Sequence, residues 1–103
     1  MGKWNYKLDS GKALRDAIDN EDSENTLNCL RKCYEEIHKL MPDLYDEDDL
    51  ANDISEINNQ LDNLANYEEY NMTEEDCQDE INDLLSDFYD FCDDNRIWIG
   101  LKI

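Results

Sequence analysis

The sequence lacks basic residues over more than half of its length, because residues 40–95 contain no Lys or Arg. The same 56 residues contain 20 Asp and Glu. Residues 1–39 are nearly balanced, with 7 basic and 8 acidic groups, and residues 96–103 contain 2 basic groups, so almost all of the formal net charge of -19 lies in residues 40–95. Nucleic acid and anionic lipid repel such a chain, so we expect its macromolecular partner to be a basic protein.

Glycine, proline and histidine are also scarce, with 3, 1 and 1 copies. So few glycines exclude a glycine-rich phosphate-binding loop, and the acidic run 43–49 lacks the glycine and ligand spacing of a calcium loop. The lone histidine, His38, has no neighbouring nucleophile motif. Carboxylates are so frequent that no two of them can be singled out as a catalytic pair. The sequence therefore predicts a protein that is not an enzyme.

Long apolar runs are missing as well. No stretch reaches the roughly 18–20 apolar residues that a membrane span needs, and residues 1–6 lack the apolar core of a signal peptide. Four cysteines without an export signal indicate free thiols in a reducing compartment, so we expect a cytoplasmic protein.

Apolar periodicity is nevertheless present, and it predicts a single helical domain over residues 1–103. Alternating apolar residues predict strands near residues 4–8 and 96–103. Helices are predicted over residues 12–19, from Ser23 to Pro42, after the acidic run 46–49, and from the capping-box residue Thr73 onwards. The third helix has the most regular stripe, formed by Leu50, Ile54, Ile57, Leu61 and Leu64. We expect a mainly α fold: a three-helix up-down-up bundle, a short N-terminal helix, and a two-stranded ribbon formed by the chain ends.

The four cysteines permit two interpretations. Cys29 and Cys33 are four residues apart on one helix, and in an up-down-up bundle Cys77 of a parallel helix would lie level with them. The sequence therefore allows a zinc site with three thiolate ligands, Cys29, Cys33 and Cys77, and an unknown fourth ligand. The alternative is that the cysteines are small core residues, as free cysteines usually are.

The acidic residues of the last helix form a ladder with a spacing of 4, 3, 4, 3 and 4 residues. We name this set the acidic ladder: Asp76, Glu80, Asp83, Asp87, Asp90 and Asp94. Residues 74–94 hold 10 carboxylates, about one per 3 Å of helix, which is close to the roughly 3.4 Å between charges on one DNA strand. The acidic run 46–49 and residues 68–69 are expected to form a second, parallel line of charge. The candidate partner-binding residues are Asp46, Asp48, Asp49, Glu68, Glu69, Asp76, Asp79, Glu80, Asp83, Asp87, Asp90 and Asp94.

In size, acidity and helical pattern, chiefly over residues 40–95, the chain resembles phage-encoded DNA-mimic inhibitors: anti-restriction proteins, uracil-glycosylase inhibitors and several anti-CRISPR proteins. The resemblance involves no specific motif. It implies an inhibitor that occupies the basic nucleic-acid channel of a host defence nuclease, such as a Cas nuclease of the Cas9 type or a restriction enzyme. Tyrosines would add specificity, and the candidate anchors are Tyr45, Tyr67, Tyr70 and Tyr89.

Two other functions fit the same residues. An immunity protein that neutralises a cationic nuclease toxin would need the same acidic surface, since its target is also basic. A small zinc-binding interaction module would depend on the cysteines instead.

Overall fold

The computed structural model describes residues 6–98 and is mainly helical over that range. Two short strands flank four helices in the order β1 (Tyr6–Lys7), α1 (Gly11–Asp19), α2 (Ser23–Leu40), α3 (Glu47–Asn66), α4 (Glu74–Asp94) and β2 (Ile97–Trp98). None of these helices has the length and apolar character that a membrane crossing requires. The predicted mainly α fold is therefore confirmed for the described residues.

Acidic and hydroxyl side chains begin the three long helices. Asp22 accepts a hydrogen bond from the amide of Asn25 at 3.1 Å, so the N-cap of α2 lies one residue before the Ser23 expected from the sequence. Asp46 caps α3 in the same way. The predicted capping box of α4 is confirmed, because Thr73 and Asp76 each accept from the other's amide at 3.1 Å. These bonds satisfy amides that would otherwise lack a helical partner.

The predicted pairing of the two terminal strands is also confirmed. Strands β1 and β2 are parallel, with Tyr6 opposite Ile97 and Lys7 opposite Trp98. The amide of Leu8 extends this pairing by donating to the Trp98 carbonyl at 2.9 Å. Leu8 and Arg96, which were also predicted to belong to the strands, lie just outside them, and residues 4–5 and 99–103 lie outside the described part of the chain.

The core is built around α2, which supplies seven of the buried residues. Tyr34 of α2 is its aromatic centre, with Phe88 of α4 edge-on at 5.1 Å and Tyr45 stacked at 5.5 Å between ring centroids. Phe88, Leu30 and Ile37 are fully buried. Offset and edge-to-face aromatic pairs add about 0.5–1.5 kcal/mol beyond area burial, so this cluster joins α2, α4 and the segment before α3.

Helix α3 is less buried than its regular stripe suggested. Among the five stripe residues only Ile57 is buried, whereas Leu50, Ile54, Leu61 and Leu64 are partly exposed. The molecule measures 46 × 29 × 18 Å. A thickness of 18 Å is less than two helix diameters of roughly 10–12 Å, so α3 has too few neighbours to cover its whole apolar face.

Candidate functional site

Helix α4 separates apolar and acidic residues onto two faces. Cys77, Ile81, Leu85, Phe88 and Cys92 are buried against the rest of the molecule. All ten carboxylates of the helix are exposed, including every residue of the acidic ladder. The remaining predicted acidic candidates, Asp46, Asp48, Asp49, Glu68, Glu69 and Asp79, are exposed too. The structure therefore leaves the whole predicted carboxylate set accessible to a partner.

The middle of the acidic ladder lies beside α3 and forms an open groove of about 310 Å³. We name it the acidic groove; its carboxylates are Glu80, Asp83 and Asp87 of α4 and Glu56 of α3. Gln60 lies on its wall and donates from Nε2 to Glu80 Oε1 at 3.3 Å. Sequence spacing did not single out Glu56, because its proximity to α4 depends on how the two helices pack.

The two acidic clusters that were expected to form a second line of charge lie at opposite ends of α3. Residues 46–49 lie at the start of α3 and residues 68–69 follow its end, so about 20 residues, or roughly 30 Å of helix, separate them. Between them, Asp62 accepts hydrogen bonds from Asn66 and Tyr70. The structure thus places one cluster at each end of α3.

Tyr45 was predicted as an aromatic anchor for a partner, and that prediction is wrong. Its side chain is only 3% exposed, because it packs on Tyr34 and Phe91. Its hydroxyl donates to Asp53 Oδ2, and its carbonyl lies 2.8 Å from Nδ1 of His38. Tyr45 therefore fixes the turn between α2 and α3 from the inside.

Asp53 is the carboxylate that this tyrosine contacts. Burial raises the pKa of Asp53, and the nearby charges of Asp49 and Asp87 raise it further, against the opposing effect of the Tyr45 hydrogen bond. Burial also raises the pKa of Tyr45, as do the hydrogen bond and the charge of Asp53. Partial burial beside other carboxylates thus makes the charged form of Asp53 less favourable.

The other three tyrosines are more accessible. Tyr70 is 47% exposed and donates to Asp62 at 2.6 Å, a contact that raises the pKa of its hydroxyl. Tyr67 and Tyr89 are partly buried, and Tyr89 packs near Phe88. Tyr70 is the most exposed of the four candidate anchors.

All four cysteines are buried, as the core-residue interpretation expects. Among residues 6–98, no three His, Cys, Asp or Glu side chains are arranged to hold a metal ion. Ser23 Oγ donates to Gln78 Oε1 at 2.7 Å, so Cys77 lies beside the first turn of α2. Cys29 and Cys33 follow Ser23 by 6 and 10 residues, which is roughly 9 and 15 Å further along α2. Along α2, Cys77 therefore lies nearer the start of the helix than Cys29 or Cys33, and zinc binding by the three thiols stays a prediction.

Burial also makes two of the thiols, Cys33 and Cys92, harder to ionise. Cys33, Cys77 and Cys92 have no exposed surface, and Cys29 is 5% exposed. Burial raises the pKa of Cys92 to about 12 and raises the pKa of Cys33 beyond the ordinary range, with further contributions from nearby Cys92 and Glu36. Thiolate is the form that attacks electrophiles, so burial disfavours reaction of the free Cys33 and Cys92 thiols.

The sequence pattern did not single out a groove at the end of α2. This open groove of about 460 Å³, which we name the α2-end groove, has a mixed lining of Tyr6, Leu40, Met41, Pro42, Asp43, Leu44, Asp94, Asn95 and Arg96. Leu40 and Leu44 are 45% and 49% exposed. A signal was present, since Leu40 is next to Met41 and therefore off the predicted stripe of α2.

No protein family, curated protein or solved structure matches the chain.

Proposed function

We propose that this protein is an inhibitor that binds a basic nucleic-acid-binding surface and blocks nucleic-acid binding there. Its most specific form is an inhibitor of a host defence nuclease, acting as an anti-CRISPR protein against a Cas9-type enzyme or as an anti-restriction protein. One observation carries the proposal: all ten carboxylates of α4 are exposed, in a 56-residue stretch that contains no Lys or Arg.

The linear density of these charges supports mimicry of a phosphate backbone. Helix α4 has 21 residues and a length of about 30 Å, which gives roughly one carboxylate per 3 Å. A helix adapted only for solubility gains stability by mixing Glu with Lys four residues apart, and α4 has no such pair. Carboxylates at this spacing would take the place of phosphates at the Lys and Arg residues of the target, which steers association.

We also propose that α2, α3 and α4 run up, down and up. Gln60, in the second half of α3, contacts Glu80 in the first half of α4. The Ser23–Gln78 contact joins the beginnings of α2 and α4. This arrangement brings Glu56 of α3 alongside the acidic ladder, so two helices contribute charge to one surface.

The test is capture of partners from a lysate of bacteria expressing Cas9, followed by elution with double-stranded DNA and identification by mass spectrometry. We expect DNA to elute a nucleic-acid enzyme, because both ligands compete for one basic surface. The purified enzyme should then lose DNA binding when the inhibitor is added. A variant with Asp83→Lys, Asp87→Lys and Asp90→Lys should bind the enzyme at least about tenfold more weakly.

A matched control separates the surface from the overall charge. Asp16→Lys, Asp19→Lys and Glu35→Lys change the net charge by the same amount at exposed positions of α1 and α2. This control should retain binding and inhibition. Equal losses in both variants, or a partner that DNA does not displace, would contradict the proposal. Capture of a nuclease toxin alone would favour the immunity function.

A further inference from the structure

We draw no further inference here: the strongest candidate, the acidic groove between α3 and α4, belongs to the surface already proposed to bind a basic partner, and the Gln60 side chain on its wall, whose Oε1 accepts no hydrogen bond within residues 6–98, is only partly buried and already bonded to Glu80, so it does not indicate a separate ligand.

Discussion

Folding has opposite effects on two carboxylates: it lowers the pKa of Glu36 and raises the pKa of Asp53. Glu36 belongs to residues 6–39, which we name the mixed half, and Asp53 belongs to residues 40–95, which we name the acidic half. Residues 6–39 mix charges of both signs, and Glu36 of α2 accepts the amides of Asp9 and Ser10 at 2.9 and 3.0 Å. Burial alone would raise the pKa of Glu36, but these bonds hold it below its ordinary value. The carboxylate thereby ties the loop after β1 to α2 and stabilises the fold.

Asp53 lies in the half that lacks cations, and its pKa is raised rather than lowered. Burial is the main cause, and the neighbouring charges of Asp49 and Asp87 add to it. The same functional group thus favours folding in one half and opposes it in the other. Self-repulsion of this kind destabilises a compact state, so the acidic half retains an energetic cost that binding to a cationic surface would relieve.

The largest loss of stability is expected from a substitution in the core that the two halves share. Phe88 is fully buried and meets Tyr34 of α2 edge-on. Phe88→Ala should lower the free energy of unfolding by about 3–5 kcal/mol, because it removes the ring and leaves a cavity. Urea titration followed by circular dichroism and by tyrosine fluorescence would measure this loss. Two separate transitions in the wild type would instead mean that the halves unfold independently.

Reversal of three charges on α4 should show how the location of charge affects stability and its dependence on salt. Asp83→Lys, Asp87→Lys and Asp90→Lys create opposite-charge pairs with Asp79 and Asp94 at four-residue spacing, and should raise stability by about 1 kcal/mol in low salt. For the wild type, the melting temperature should rise between low and moderate salt, since ions screen the repulsion. The reversed variant should respond less to salt.

The control for this comparison is the triple reversal in the mixed half. Asp16→Lys, Asp19→Lys and Glu35→Lys produce the same net charge, yet cations such as Arg31 and Lys32 already occur there. We expect a smaller gain and a salt response close to that of the wild type. Thermal melts at two salt concentrations would measure both. Equal gains in the two variants would mean that net charge, and not its location, controls stability.

Local signals in the sequence predicted the elements well. The capping box at Thr73, the break at Pro42 and the alternating residues near both termini each act over a few positions, so propensity and hydrogen bonding decide them locally. The partial exposure of α3 was not predictable in this way. Its stripe from Leu50 to Leu64 is regular, but burial depends on how many helices surround it, which is a property of the packed molecule.

For the candidate surface too, some features could be predicted from local spacing and others depend on how the helices pack. Exposure of the acidic ladder followed from spacing, because the positions opposite a buried stripe face water. The contribution of Glu56 to the acidic groove depends on the packing of α3 against α4. The α2-end groove depends on the pairing of β2 with β1, which places Tyr6 near Leu40. The relative height of the three cysteines likewise depends on the register between α2 and α4, which spacing within one helix does not determine.

A substitution at Glu36 would remove the stabilising carboxylate of the mixed half. Glu36→Gln keeps the size of the side chain but weakens its bonds to the amides of Asp9 and Ser10, and should cost about 1 kcal/mol at neutral pH. Because the pKa of Glu36 is lowered by folding, its contribution is present above the ordinary glutamate value and is lost as the pH falls through the lowered one. Melts of variant and wild type should therefore converge in acid. A constant difference at all pH values would assign the loss to packing.

The smallest expected change in stability comes from a substitution at Asp53, and it is a gain where the substitution at Glu36 gives a loss. Asp53→Asn keeps an acceptor for the Tyr45 hydroxyl and removes a charge four residues from Asp49, so it should raise stability by up to about 0.5 kcal/mol at neutral pH. Folding raises the pKa of Asp53, so its contribution is fully present below the ordinary aspartate value of 3.8 and is lost as the pH rises through the raised value. The gain from Asp53→Asn should accordingly vanish in acid, where both side chains are neutral.

Parallel pH series on Glu36→Gln and Asp53→Asn would then give stability differences from the wild type that have opposite signs at neutral pH and that both shrink in acid. Two stability differences of the same sign at neutral pH would mean that Glu36 and Asp53 affect folding in the same way. The energetic argument for a cationic partner would then lose its basis.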